Sequence, residues 1–346
     1  MRECVGEEAR VPRSRKTVLV SAGVAAVVIA AALLLYGSFR RGTRAQTSPG
    51  LELLSALPAG APSLIYVDLA AVRASYFYQH RPGKGPIATP NQEYADFVRL
   101  TGFDFEKDLD RVAMASWPAP GAKEQTKIVA IAEGRFDRAK IRDYALSKGK
   151  LDHQQGREVF LFPMGDRMGT NSIVFLDDHR IAVVSGPSIA PLFAGRSDDP
   201  GGDPARERAA RLDGAAAFAI SRLPAVPVNS AAGGAPAAQL AALMRSIQWV
   251  TMAARPEGDN LRVSIEGECD TSTDAQQIKA GLELLRMFGS AGLASPKTRQ
   301  SMDPATLAFL QTLLTTAEVT QAAERVRILI ELTPDVFKLG DGHKPQ

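Results

Sequence analysis

The sequence predicts an α+β fold: an N-terminal single transmembrane helix followed by two similar α+β units, their antiparallel or mixed sheets covered by helices. Three observations carry this expectation. Residues 17–36 form an apolar run without a charge. Strand-type segments cluster in hairpins with amphipathic helices inserted between them, the pattern of sheets covered on one face. Short phrases from the first half return in the same order in the second, as a duplicated unit of about 140 residues requires. The expected organisation is a cytoplasmic tail (1–16), a transmembrane anchor (17–39), a tether (40–50), α+β unit 1 (51–195), a linker (196–206), α+β unit 2 (207–340) and a disordered tail (341–346).

The anchor comes first. From Thr17 to Tyr36 the chain reads TVLVSAGVAAVVIAAALLLY. At 1.5 Å rise per residue, about 20 such residues cross the roughly 30 Å hydrocarbon core. In lipid the backbone must be satisfied internally, which demands a helix. Cations flank both ends, where long side chains reach the headgroups, and Tyr36 suits the interface. A cleavable signal peptide is the rival, with Thr43-Arg44-Ala45 as the cleavage site, but signal cores run to about 7–15 apolar residues and this run is longer. Ser14-Arg15-Lys16-Thr17-Val18-Leu19 shares part of a twin-arginine export signal, with lysine in place of the second arginine. Five Lys/Arg precede the span and three follow it closely. The N-terminus is therefore expected in the cytoplasm and the bulk of the chain outside it, in a periplasm if the cell has one.

Composition excludes several classes. The 346 residues are 45% hydrophobic and 23% charged, the balance of a globular protein. Two cysteines are too few for a disulfide scaffold, and four histidines without a Cys/His cluster make no zinc module. Under the expected topology Cys4 and Cys269 lie on opposite sides of the membrane, and Cys269 reads as a half-buried small residue at a strand end. The net charge of +3 belongs to the N-terminal segment: from Ala45 onward 33 cations face 35 acids. No nucleic-acid partner is expected.

Beyond the tether, Ser48 and Pro49 open a short helix that Pro58 and Gly60 end. Ser63 to Leu69 is β-branched and aromatic, a strand. Asn91 caps a helix with Tyr94, Phe97 and Val98 on one face, stopped by Gly102. Arg111 to Trp117 and Lys127 to Gly134 are strands joined by PAPGAK. Asp137 caps a helix with Ile141, Tyr144 and Ala145 as its apolar side. Strands follow over Glu158 to Phe162, Ser172 to Leu176 and Arg180 to Ser185, the last two a hairpin across Asp177-Asp178-His179, and Pro187 opens a short helix through Phe193. Gly195 to Pro204 is a Gly/Pro/Asp-rich linker. Then the order recurs. Val250 to Ala253 matches Val112 to Ala115, and Glu266-Gly267-Glu268-Cys269-Asp270 matches Glu133-Gly134-Arg135-Phe136-Asp137. A helix with Ile278, Leu282 and Leu285 follows, then a hairpin over Ala317 to Leu332.

The shared E-G-x-x-D is a paired acid in two copies, and its structural reading suffices. Gly permits a sharp turn off the strand, and Asp accepts from the orphan N–H groups that open a helix. Asp137 and Asp270 are both expected to be helix caps. Gly186-Pro187-Ser188-Ile189-Ala190 approaches the G-x-S-x-G nucleophile elbow but lacks the final Gly, and Pro187 removes a donor before the serine. His179, nine positions away, falls in a hairpin turn. Ser147 to Lys150 fits S-x-x-K at a helix end, without the motifs that accompany it in serine acyltransferases. Asp104, Glu106, Asp108 and Asp110 alternate like a calcium loop, but Leu109 stands where an EF-hand requires Gly. His80 to Gly85 is a basic, Gly-containing loop of the kind that can hold an anion. No G-x-G-x-x-G, P-loop or H-E-x-x-H occurs.

The phrases LIYVDLAAVRAS, TGFDFEKDLDRVAMA and AEGRFDRAKI, within about residues 50–195, give the chain its one resemblance. It resembles bacterial single-pass membrane-anchored proteins whose exported α+β domain is repeated. The resemblance implies layout and no particular activity, and no functional residue carries over from it. No catalytic, cofactor-binding or metal-binding residue is assigned. The expected function is a non-enzymatic binding or scaffold role in the cell envelope, with the membrane contacted through residues 17–39 and a protein partner outside. An extracytoplasmic serine-dependent hydrolase using Ser188 is the alternative.

Overall fold

The computed structural model describes residues 49–79, 92–118, 126–163, 169–194, 202–223, 245–302 and 304–333. The expected cytoplasmic tail, the membrane span, the tether before Pro49, the basic loop His80 to Gly85, the Asn91 cap, the linker before Gly202, the loop over 224–237 and the C-terminal tail lie outside the described residues.

The chain runs α1 (Pro49–Ser55), β1 (Ser63–Asp68), α2 (Leu69–Arg73), α3 (Tyr76–Gln79), α4 (Gln92–Thr101), α5 (Phe105–Asp108), β2 (Leu109–Trp117), β3 (Lys127–Gly134), α6 (Arg138–Lys148), β4 (Lys150–Gln154), β5 (Arg157–Pro163), β6 (Thr170–Phe175), β7 (Arg180–Ser185) and α7 (Ala190–Phe193). It continues α8 (Pro204–Ala210), β8 (Ala217–Arg222), β9 (Ile247–Glu257), β10 (Asn260–Cys269), α9 (Ser272–Ala294), α10 (Pro296–Ser301), α11 (Pro304–Thr316), β11 (Glu318–Ala322) and β12 (Arg325–Leu332). Among the described residues, no helix is long and apolar enough to cross a membrane.

Two similar units with sheets of their own do not form, and this corrects the fold expected from sequence. Among the described residues, all the strands join one antiparallel sheet of twelve, in the order β11-β12-β10-β9-β8-β1-β2-β3-β7-β6-β5-β4. The cause lies in β1, which pairs on both edges: Ser63 stands opposite Ser116 of β2 and opposite Ser221 of β8. Left alone, the first half would end in a row of unpaired N–H and C=O groups along β1, and β8 would carry a second such row. Joining them satisfies both. Outward from this seam the strands run β1-β2-β3-β7-β6 on one arm, extended by β5 and β4, and β8-β9-β10-β12-β11 on the other.

Alternation along each strand then separates two faces. Leu64 and Tyr66, Ala113 and Ala115, Val129 and Ile131, Phe218 and Ile220, and Trp249 and Ala253 share one face, packed against Leu53, Leu54, Ala205 and Ala209 of α1 and α8. This core draws on both arms of the sheet. Arg208 of α8 lies 4.3 Å from the Trp249 ring centre and, with Arg211, is paired to Glu268 of β10, which ties the helix to the second arm. The opposite face is covered in pieces. α2 packs on Val67 and Ala217 near the seam, and α6 packs on Phe160 and Phe175 toward one end. α9 and α11 cover the other end over Ile247, Val326, Leu261 and Leu332.

Candidate functional site

A polar recess lies at one end of the seam, and strand register builds it. Ser116, Ser63 and Ser221 stand opposite one another across β2, β1 and β8, and alternation puts all three on the face away from α1 and α8. The Ser63 and Ser221 hydroxyls are 2.8 Å apart, and either can donate. The cleft around them encloses about 610 Å³. Pro62, Pro118, Leu223 and Ile247 form its apolar walls, while Thr126, Gln248, Asp270, Arg222 and Arg245 supply its polar groups.

The walls are held by the backbone. The Arg222 N–H donates to the Pro62 carbonyl at 2.8 Å, and the Leu223 N–H donates to the Gln248 carbonyl at 2.8 Å, so the end of β8 is fixed between β1 and β9. The Gln248 side-chain amide donates to the Asp270 carboxylate. The acid is thus engaged by a neutral donor, and the two guanidinium groups leave the cleft with a cationic surplus. Hydroxyls, an amide and two arginines beside a short apolar wall suit a partner that presents an anionic or polar group on an apolar body.

Of the described residues singled out by sequence, Asp270 lines the cleft and the others fall elsewhere. Ser188 sits in the turn between β7 and α7, where its hydroxyl accepts from the Ala190 N–H at 3.2 Å. Gln154 of β4 holds that turn, donating to the Pro187 carbonyl at 2.8 Å and accepting from the Ile189 N–H at 2.9 Å. His179 lies beyond the other end of β7, and six strand residues at about 3.3 Å each put roughly 20 Å between them. The structure does not bring this serine and this histidine together. The Ser147 hydroxyl donates to the Tyr144 carbonyl of its own helix at 2.7 Å.

The alternating acids are likewise occupied locally. Asp104 caps α5 through the Glu106 N–H at 3.0 Å and accepts from the Tyr94 hydroxyl at 3.2 Å. Asp108 accepts from the Asp104 N–H at 2.9 Å, and Asp110 pairs with Arg73 at 2.5 Å and Arg135 at 3.3 Å. Among the described residues, no group of three or more His, Cys, Asp or Glu side chains is arranged to hold a metal ion.

The two E-G-x-x-D copies resolve into cross-strand ion pairs and one cap. Glu133 accepts from Arg111 at 2.6 Å, and Arg111 reaches Asp68 at 3.4 Å, making a charge ladder over β1, β2 and β3. Glu266 accepts from Arg327 of β12 at 2.6 Å. Asp137 caps α6, as its position implies, through the Lys140 N–H at 3.1 Å. Asp270 does not cap α9. Thr271 does, accepting from the Asp274 N–H at 3.1 Å, while its hydroxyl donates to the Asp274 carboxylate at 2.6 Å. One residue of slippage moves the cap because Asp270 is turned toward Gln248 in the cleft. Cys269 is a buried free thiol at the end of β10. Burial, reinforced by Asp274 and Asp270, pushes its pKa up to about 11.

Sequence reasoning passed over the cleft. Each of its three strands carries a serine near the same end, a signal that was present, but the rows align only once β8 is known to pair with β1.

No family model and no curated protein matches the chain. Among solved structures, crystal form III of TP0453 is 8% identical with a TM-score of 0.45, covering 83% of this chain and 96% of that one. Crystal form IV of TP0453 is 10% identical with a TM-score of 0.44, covering 83% and 94%. These figures describe a distant likeness, and no functional residue follows from it.

Proposed function

We propose that this is a membrane-anchored extracytoplasmic protein with a non-enzymatic binding or envelope-scaffold role. Residues 17–39 hold it in the membrane, and a protein partner of the cell envelope engages the cleft at the ends of β1, β2, β8 and β9. The observation that supports this reading best is the cleft itself. Its hydroxyl row is pre-ordered by strand register, which spares a partner the cost of ordering it. Its charged residues are one acid, Asp270, engaged by the Gln248 amide, and two arginines, a set that suits an anionic group on the partner.

A photo-reactive residue in place of Gln248, in the full chain in its own membrane, tests the reading. A single adduct of reproducible mass is expected, lost in an Arg222→Glu/Arg245→Glu background and absent when the probe replaces Asn260 at the far end of β10. Equal labelling from both positions removes the cleft from the proposal. Fluorophosphonate labelling that Ser188→Ala abolishes would replace the whole reading with hydrolysis. A reporter fused at residue 346 that is active only in the cytoplasm would reverse the orientation.

A further inference from the structure

Directly behind the serines of the cleft, the sheet carries a second row of another character. Two residues further along β1, β2 and β8, on the same side, stand Ile65, Met114 and Ala219. Register extends this row to Ala130 of β3 and Met252 of β9. At about 4.8 Å between strands the five make an apolar band roughly 19 Å long, about 7 Å from the hydroxyls. On the opposite side of the same strands, Leu64, Ala113, Val129 and Phe218 are buried in the core under α1 and α8. The band is not buried in this way. Ile65, Met114, Ala130 and Ala219 are half-buried, and Met252 is 39% exposed. α2 packs on the row beyond it, at Ala217, Val67 and Val112. The space the cleft encloses stops short of the band, since none of these five residues lines it.

We infer that the protein partner lays an apolar stretch on this band and sets an Asp or Glu side chain in the cleft beside it. The inference rests on the cleft reading above and names the chemistry of the segment that enters. Unanswered charge calls for the acid. Among the described residues, every arginine except Arg222, Arg245 and Arg299 pairs with a carboxylate or donates to a backbone carbonyl. Two of these three line the cleft, beside the serine hydroxyls. Guanidinium and hydroxyl donors together are complemented by a carboxylate. Continuity calls for the apolar part, because an apolar centre edged by polar groups is the anatomy of a protein interface. A lipid chain is the rival occupant. Small-molecule sites bury most of their ligand, and a half-open floor does not enclose a chain. Spacing then fixes the motif. A separation of about 7 Å is covered by side chains two apart on a strand or three to four apart on a helix. The acid and the apolar residues therefore lie within about four positions of each other in the partner.

The test places a diazirine residue at Met252 of the full chain in its own membrane, and in a second sample at Gln248 in the cleft. Both positions are expected to label the same partner segment. Sequenced by mass spectrometry, that segment is expected to carry an Asp or Glu within about four positions of the apolar residues that bear the Met252 adduct. Met252→Glu is expected to lower labelling from Gln248 about tenfold, the worth of burying one such side chain. Because Met252 is exposed, this variant keeps its thermal melt, and the Met252 probe stands independently of it. Labelling from Gln248 with none from Met252 overturns this inference and leaves the cleft reading in place. So does a labelled segment without an acid in that window, or a lipid adduct at Met252. An adduct from Met252 to residues 119–125 or 224–244 of the chain itself, which adjoin the cleft at Pro118, Thr126, Leu223 and Arg245, overturns it as well. No adduct from either position overturns both readings.

Discussion

Asp137 and Asp270 occupy the same place in two copies of one motif and do different work. The Asp137 carboxyl is held below the usual carboxylate range by the Lys140 side chain and by the Lys140 N–H it caps. A depressed pKa stabilises the folded state above the unfolded value, and that contribution is lost as pH falls through the folded one. Asp137→Ala is expected to lower the melting temperature by about 2 °C at neutral pH, with the difference from the parent shrinking in acid. Asp270→Ala leaves the α9 cap intact, so the same melt should register less. Cys269 has the opposite sign. Its raised pKa contributes stability that is full below about pH 9 and disappears as pH rises through about 11. The folded thiol should react with iodoacetamide about 100-fold more slowly at pH 8 than the thiol of the unfolded chain, from its smaller thiolate fraction alone. An equal rate in both states contradicts the burial.

At the level of elements, local signals did most of the placing. The hairpin across Asp177-Asp178-His179 and the helix behind Asp137 form where their turn and cap residues stand, because these are contacts over three or four residues. Gly134, at the end of β3, answers to a longer-range demand. A Cβ there would collide with the Asp108 carbonyl oxygen of the neighbouring strand entry. Gly134→Ala should therefore cost about 2–3 kcal/mol in denaturant unfolding, with the backbone rather than a soft side chain in the way. At Gly267, its counterpart in the second copy, a Cβ would meet the Ile247 side chain at 3.3 Å, which can give, and the loss should be smaller. The strand over Ala217–Arg222 escaped the sequence reading, since a six-residue run of small and apolar residues shows no clean period.

Over the whole molecule the decisive feature is the β1–β8 seam. Because the α1–α8 core draws on both arms, the halves share stability and should unfold together. Calorimetry of the full chain is expected to show one transition for the sheet, with calorimetric and van't Hoff enthalpies in agreement. Two resolved transitions, or a fragment over 51–195 that folds with the same melt as the parent, would show that the arms are independent. The cleft is a consequence of the same seam, since it lies where the two arms meet.

Local chemistry determined many of the strands and helices, such as the hairpin over Thr170–Ser185 and the helix behind Asp137, and that the positive charge lies ahead of the folded part. Those properties depend on neighbours a few positions apart. Only the folded chain decided that two arms close into one sheet, that Ser63 meets Ser221 across 158 positions, and that the outer side of α9 stays bare. Backbone pairing is available to any strand edge, so periodicity reports that an edge exists and leaves its partner to the packing of the whole.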